Sequence, residues 1–309
     1  MTRCPLTYST PDTGLYSGRG LKRLSRNLVA LEPFPYSAAE QRYEASQRAA
    51  KMSIQGMQPK LSANLQVSRK TFEIVDSAGQ WIVKPQHHIY PQLPENEDLT
   101  MKMAAVAGLK VPVHGLIFCV DGTLSYVIRR FDRPRRGEKL ALEDFAQLTG
   151  QNRKTKYNSS MERLVPVLDK YCTFPHLEKL NLFRLSLFSF VTGNEDMHLK
   201  NFSLLTHDGK VGLSPAYDLL NTTIALTAAQ EEVALSLSGK KRRLKRSEWL
   251  DYWATKRLGL TEKSVQSVLA DFGQAVPNWR TLLQSSFLSS EGKEAYSSLL
   301  NSRLALLGL

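Results

Sequence analysis

The chain has 309 residues, 42% hydrophobic and 23% charged, enough for one large domain or two lobes with a proper core. That composition excludes a disordered or low-complexity chain. A net charge of +12 favours acidic partners such as nucleotide phosphates or nucleic acid, and three scattered cysteines without a CxxC pair set aside a zinc cluster or a disulfide framework and suit a reducing cytoplasm.

The N-terminal sequence MTRCPLTYSTPDTG has no apolar signal-peptide core. The most apolar window, 180–191, is short and contains Arg184, so no membrane segment is expected. Residues 1–36 are rich in Pro, Gly, Ser and Thr and carry a basic patch at Arg19, Lys22, Arg23 and Arg26; they read as an irregular arm lying on the fold. Ser37 followed by Ala38-Ala39-Glu40 is a capping box, which predicts a helix over 40–52. Gly56 and Pro59 break it. A strand is expected at 61–67, and 71–75 with 80–84 read as a β-hairpin about the turn 76–79. A Gly-containing turn joined to strands suits covering nucleotide phosphates with backbone N–H groups, although GxxxxGK[ST] is absent.

Trp81-Ile82-Val83-Lys84 is an apolar strand ending in lysine, and Glu97 follows thirteen residues on. Pro94 and Gly108 bound a helix over 95–107. A strand lysine followed by a glutamate on the next helix is the order of the kinase ion pair; Glu95 and Asp98 compete with Glu97 for that role. Strands are expected at 111–113, 116–120 and 124–130. The run YVIRRFDRPRRG then leaves the sheet where a kinase hinge falls, with Phe131 either flanking adenine or in the core. Helices follow at 142–148, 160–171 and 176–192. The last carries Leu177, Leu180, Phe183, Leu187 and Phe190 at three- and four-residue spacing, a buried stripe. The basic segment GQNRKTKYNSS either lines the cleft or is an exposed loop, and the loop is the commoner case.

The chemistry concentrates in GNEDMHLKNFSLLTHDGKVGLSPAYDLL, residues 193–220. Asp196 and Asn201 are five apart, and Asp218 lies seventeen beyond Asn201. A protein kinase spaces its catalytic-loop Asp and Asn in this way, and a later Asp completes its magnesium site. A carboxamide and a carboxylate are hard oxygen ligands for an ion that bridges phosphate oxygens. A further carboxylate orients the attacking hydroxyl and accepts its proton. The bland alternative is a solvated Asp- and Asn-rich turn; Lys84 and Glu97, upstream in kinase order, weigh against it. His198 either contacts a phosphate or braces the loop. Beyond lie an expected strand at 232–237, the basic run KKRRLKR, Trp249 and Trp253 on a packed helix, and helices at 261–272 and 291–307.

Together, GMQPK, WIVKP, NEDLTMKMA, RRFDR, GNEDMHLKNFSLL and PAYDLL resemble the HipA-like serine/threonine kinases, a family that contains the toxins of bacterial toxin–antitoxin operons. The resemblance implies an α+β, two-lobed protein-kinase-like fold, with the arm at 1–36, a small β-rich nucleotide-binding lobe at 37–130 and a larger helical lobe at 131–309. It implies a cytoplasmic kinase that uses ATP and Mg2+, phosphorylates a protein such as an aminoacyl-tRNA synthetase and arrests growth. Ser53 matches the family's autophosphorylated serine, with Ser62 and Thr71 as nearby alternatives. Gly56 and Lys60 match the phosphate-covering loop, Lys84 the ATP-phosphate lysine, and Arg130 with Phe131 the hinge. Asp196 matches the catalytic aspartate, with His198 and Asn201 in its loop, and Asp218 the magnesium aspartate. Tyr217-Asp218-Leu219 replaces DFG, so no DFG-type switch is implied. Longer members carry a further N-terminal subdomain; the match here is to the short, HipT-like form, whose partner is a small antitoxin equivalent to that subdomain. A helix-turn-helix antitoxin is the other implied partner, and through it operator DNA. Two readings compete. One is a lipid or small-molecule kinase, because Asp-x-His-x-x-Asn also resembles phosphoinositide kinases. The other is a DNA-associated corepressor component with weak kinase activity.

Overall fold

The computed structural model describes residues 3–11, 14–48, 58–152, 155–226 and 231–309. The chain divides into two compact units. The first comprises Met1–Met101, Pro112–Lys139 and Thr281–Ser289, the second Lys102–Val111, Leu140–Arg280 and Ser290–Leu309.

The first unit is built on a five-stranded antiparallel sheet: β1 (Leu61–Gln66), β2 (Thr71–Ile74), β3 (Trp81–Lys84), β4 (His114–Phe118) and β5 (Leu124–Arg129), in the order β2-β1-β3-β5-β4. The expected hairpin of residues 71–75 with 80–84 does not form. β1 lies between those strands and pairs with both, Ala63 standing opposite Ile74 on one side and Trp81 on the other. The connection over residues 75–80 therefore crosses β1. Gly79 permits the crossing: a Cβ there would stand 2.0 Å from Ser62 Oγ and 3.1 Å from the Ala63 nitrogen. The period-2 pattern located the strands, but pairing is a tertiary choice. Residues 111–113 are not a strand either; the pairing starts at His114, and Val113 contributes only its carbonyl, to Arg129 N–H.

Residues 1–36 are not a covering arm. They form helix α1 (Gly18–Leu24) and place Cys4, Leu6, Tyr16, Leu21, Leu24, Leu28, Leu31 and Phe34 in one buried cluster with Leu61, Phe72, Trp81 and Val127 of the sheet. The apolar residues of this segment are spread thinly among turn formers, so their shared inner face is invisible in the sequence. Helix α2 (Ala38–Arg48) begins at the expected capping box: Glu40 N–H donates to Ser37 Oγ at 3.2 Å, and Ser37 N–H to Glu40 Oε2 at 2.7 Å. Helix α3 (Leu93–Val106) follows β3.

The second unit carries a small sheet in the order β6 (Leu142–Asp144), β7 (Ser203–His207), β8 (Lys210–Leu213). The expected helix over 142–148 is thus half strand: Leu142–Asp144 pairs with β7, and only Phe145–Leu148, helix α4, is helical, capped by Asp144. Helices α5 (Leu164–Tyr171) and α6 (Pro175–Val191) match the apolar periodicity, with Pro175 at the first turn of α6. The stripe on α6 holds at Phe183, Leu187 and Phe190 and fails at Leu177, which is exposed. Residues 232–237 are not a strand; only Ser236 and Leu237 make isolated bridges, to Ser160 and Lys240. After the short helix α7 (Thr222–Ala225) and a π-helical segment, Glu248–Arg257, come α8 (Glu262–Ser285) and α9 (Ser290–Leu307). α8 runs thirteen residues past its expected end at 272 and carries Pro277 inside it. The core of this unit is aromatic. Phe188, Phe272 and Trp279 form a T-shaped trio, Phe190 packs on Trp249, and Trp253 Nε1 donates to Ser186 Oγ at 2.9 Å. Trp249 and Trp253 are packing residues, as read from the sequence.

Candidate active site

In the first unit, β3 supplies Lys84 and α3 supplies Glu97. Lys84 Nζ lies 2.6 Å from Glu97 Oε1 and 2.9 Å from Oε2, and both side chains are buried. β3 is interior to the sheet, with Val83 opposite Leu61 of β1 and Lys84 opposite Tyr126 of β5. Glu97 was the expected partner, with Glu95 and Asp98 as competitors; each of the three has its own partner. Glu95 accepts from Gln86 Nε2 at 2.7 and 2.9 Å, and Asp98 Oδ1 stands 2.9 Å from His114 Nδ1. Glu97 lies about 200° around the helix from Glu95 and about 100° from Asp98, so it meets a different partner from either.

Glu95 yields a pH prediction. Burial, with a smaller push from Asp98 and against the Gln86 bonds, raises its carboxyl from 4.5 to about 7. A carboxyl whose folded pKa lies above its unfolded one stabilises the fold fully below about 4.5 and loses that contribution as pH rises through about 7. Glu95→Gln is expected to leave stability near pH 4.5 almost unchanged and to raise it by about 2–3 kcal/mol at pH 8. Urea denaturation of both proteins across that range checks it; parallel curves would show that Glu95 does not titrate there.

Arg130 directs its guanidinium to Asp132, at 3.0 and 2.7 Å, and its N–H to the Gln80 carbonyl. Phe131 follows, partly buried, and Lys60 is partly buried just before β1. Ser53 and Gly56 lie outside the described residues.

In the second unit, α6 ends at Val191 and the chain turns at Gly193, whose φ of +69° lies in the left-handed region. The Gly193 carbonyl accepts from Thr223 N–H at 3.1 Å, Thr222 Oγ1 at 3.2 Å and Thr223 Oγ1 at 3.1 Å. Asn194 Oδ1 accepts from Asp196 N–H at 3.2 Å. A single 3-10 turn, Leu199–Asn201, then presents His198 and Asn201. A Cβ on Gly193 would meet Leu299 Cδ2 at 2.3 Å and Asn221 Oδ1 at 2.8 Å. Gly193→Ala therefore combines an unfavourable φ with overpacking and is expected to cost about 2–4 kcal/mol by urea denaturation; a loss below 1 kcal/mol would mean that the loop relaxes freely.

Asp218 reaches this loop from the far side of β8. Its φ is +53°, sparsely populated for a residue with a side chain. Tyr217 anchors it by donating to the Lys200 carbonyl at 2.9 Å and standing 2.6 Å from Ser203 Oγ. Asn194 Nδ2 donates to the Asp218 carbonyl at 3.5 Å. Burial lowers the His198 pKa, Asp196 pulls it up, Lys156 lowers it again and Asp218 raises it. Both aspartates thus act on one imidazole. His198 Nδ1 accepts from Lys200 N–H at 3.2 Å and Nε2 stands 2.5 Å from Lys156 Nζ. Asn201 is buried, and its Oδ1 finds no hydrogen-bond partner among the described residues. A buried carboxamide oxygen left unpaired is costly unless something else satisfies it, and a hard cation suits it. Among the described residues no group of three or more His, Cys, Asp and Glu is gathered for a metal, so an ion here would rest on the carboxamide–carboxylate pair.

The family is decided by residues 52–279, which match the HipA-like C-terminal domain. The chain belongs to that family. A Haemophilus influenzae protein named "Putative kinase" is 30% identical over 67% of this chain and 64% of its own length, and Sinorhizobium fredii "Putative kinase Y4dM" is 34% identical over 64% of this chain and 52% of its own. The chain therefore spans between about half and two thirds of these relatives. Among solved structures, Shewanella oneidensis HipA, in complex with HipB and operator DNA, superposes with a TM-score of 0.68 at 21% identity, covering 91% of this chain and 74% of HipA. The Helicobacter pylori kinase CtkA gives 0.52 at 15%, covering 73% and 86%. The fold is that of this kinase-like group, as expected, and α+β in content.

Within this HipA-like chain, sequence reasoning missed Lys156 and Tyr157, assigned to an exposed loop, and the Thr222–Thr223 pair. Tyr157 Oη donates to Asp196 Oδ1 at 2.5 Å, and Leu199 N–H donates to the Lys156 carbonyl at 3.3 Å. Burial first, then the bond to Asp196, raises the Tyr157 pKa above its usual value. One signal was available: a lone aromatic in the polar run GQNRKTKYNSS.

Proposed function

We propose that this HipA-like protein is an ATP- and Mg2+-dependent serine/threonine protein kinase, the toxin of a toxin–antitoxin system. The observation that carries the reading is the 193–201 loop. It holds the Asp196 carboxylate on a hydrogen-bonded turn and, five residues later, a buried Asn201 carboxamide oxygen that has no hydrogen-bond partner among the described residues. Asn201 and Asp218 would hold Mg2+, which when bound neutralises charge on the ATP phosphates. Lys84, oriented by Glu97, contributes a fixed positive charge to those phosphates, and Lys60 belongs to the loop that covers them. Arg130 and Phe131 are the residues for adenine. Asp196 orients the acceptor hydroxyl and takes its proton, and His198 keeps the loop in shape. Placement and fixed charge are the main sources of rate in phosphoryl transfer.

An aminoacyl-tRNA synthetase is the substrate we favour, and Ser53 the site of autophosphorylation. The HipB–operator complex of the Shewanella protein supports a DNA-bound antitoxin as partner. No helix among the described residues is long and apolar enough to cross a membrane.

The test is incubation of purified protein with Mg·[γ-32P]ATP and, separately, a panel of synthetases, phosphoinositide vesicles or no addition. Label on a synthetase serine supports the reading. Label confined to lipid makes the protein a lipid kinase, and no label anywhere removes the kinase assignment.

A further inference from the structure

The bond from Tyr157 to Asp196 has no role in the chemistry above, and it has a definite geometry. A carboxylate that receives the proton of an incoming hydroxyl must offer an oxygen to an O–H donor. Asp196 Oδ1 already accepts from one, the Tyr157 phenol, at 2.5 Å. We propose that Tyr157 is a built-in stand-in for the acceptor hydroxyl: residues 155–158 form a strap that rests on Asp196 and lifts when a protein serine takes its place. This rests on the reading of Asp196 as the group that orients the acceptor.

The strap is attached to the 193–201 loop at three further points. Leu199 N–H donates to the Lys156 carbonyl at 3.3 Å, Lys156 Nζ stands 2.5 Å from His198 Nε2, and the Tyr157 ring meets the His198 ring edge-on at 5.0 Å. Its own turn is compact, with Asn158 N–H donating to the Thr155 carbonyl at 2.8 Å. Attachment is nevertheless shallow. Tyr157 keeps 40% of its surface exposed, whereas Tyr126 and Tyr296 keep none. Lifting the strap therefore exposes little new apolar area; the bond from Tyr157 is replaced by that of the incoming serine, and the Lys156 groups it frees turn to water. The phenol donates its proton to the carboxylate without losing it, since burial and Asp196 both favour the neutral form. That suits a placeholder better than a phosphate acceptor.

Tyr157→Phe keeps the ring and removes only the donor. The assay follows phosphate transfer from Mg·ATP to myelin basic protein as a generic acceptor, and to water as ATP hydrolysis, with circular dichroism to establish folding. With the placeholder gone, the KM for the protein acceptor is expected to fall about tenfold, or the hydrolysis rate to rise by a similar factor, with the KM for ATP unchanged. A lower kcat at unchanged acceptor KM would make Tyr157 a positioning residue and overturn the proposal. So would unchanged kinetics, or phosphate found on Tyr157 by peptide mapping. If neither protein turns over ATP, the kinase reading itself falls and the proposal with it; an active wild type beside an inactive, folded variant sinks the proposal alone.

Discussion

Asp196→Asn is expected to lower phosphate transfer by about 10²- to 10⁴-fold, the range of a lost general base. The substitution is isosteric, and the loop around it is built from bonds that do not need the carboxylate. Asn194 Oδ1 receives the backbone N–H of residue 196, and the Gly193 carbonyl is held by Thr222 and Thr223. Asparagine retains an oxygen that accepts from the Tyr157 phenol. Stability should therefore change by less than about 1 kcal/mol, so a loss of rate reports on chemistry rather than folding. Initial rates of 32P transfer, read beside thermal melts, check both halves. Activity within a few-fold of wild type would remove Asp196 from its role.

Lys84→Met carries the largest expected cost in stability. Lys84 and Glu97 are both buried, at 3% and 0% exposure. Removing the lysine takes a counter-charge from the buried Glu97 carboxylate, a loss of about 3–5 kcal/mol. Adding Glu97→Leu removes the buried charge as well and should recover much of the stability, because a buried ion pair is often no more stable than an apolar replacement. Activity should not recover, since the cation for the ATP phosphates is still missing. Urea denaturation and 32P transfer on the single and double variants separate the two effects. A double variant that stays unstable would mean that Glu97 does further structural work, and one that regains activity would exclude Lys84 from nucleotide contact.

Much of the site was legible because kinase chemistry constrains residue types at fixed spacing along one short segment. Asp196, Asn201 and Asp218 were named from their residue types and separations, with Lys84 and Glu97 upstream in kinase order. Glu97 was named from the kinase order, with Glu95 and Asp98 left in competition. Nothing along α3 distinguishes it from Glu95 or Asp98; the choice depends on which strand each carboxylate meets. Tyr157 was illegible for a similar reason. It is distant in sequence from Asp196, and its segment has the composition of a solvated loop.

The helices with a strong apolar period, α5 and α6, and the capping box of α2 were determined by the sequence itself, because helical contacts are local. So were the family and the residue types of the candidate site. Tertiary structure decided the rest. It placed β1 between β2 and β3 where a hairpin was expected, drew residues 1–36 into the core, and made a strand of Leu142–Asp144 by offering it β7. Strand pairing and burial are settled by partners far along the chain, and a local pattern carries no record of them.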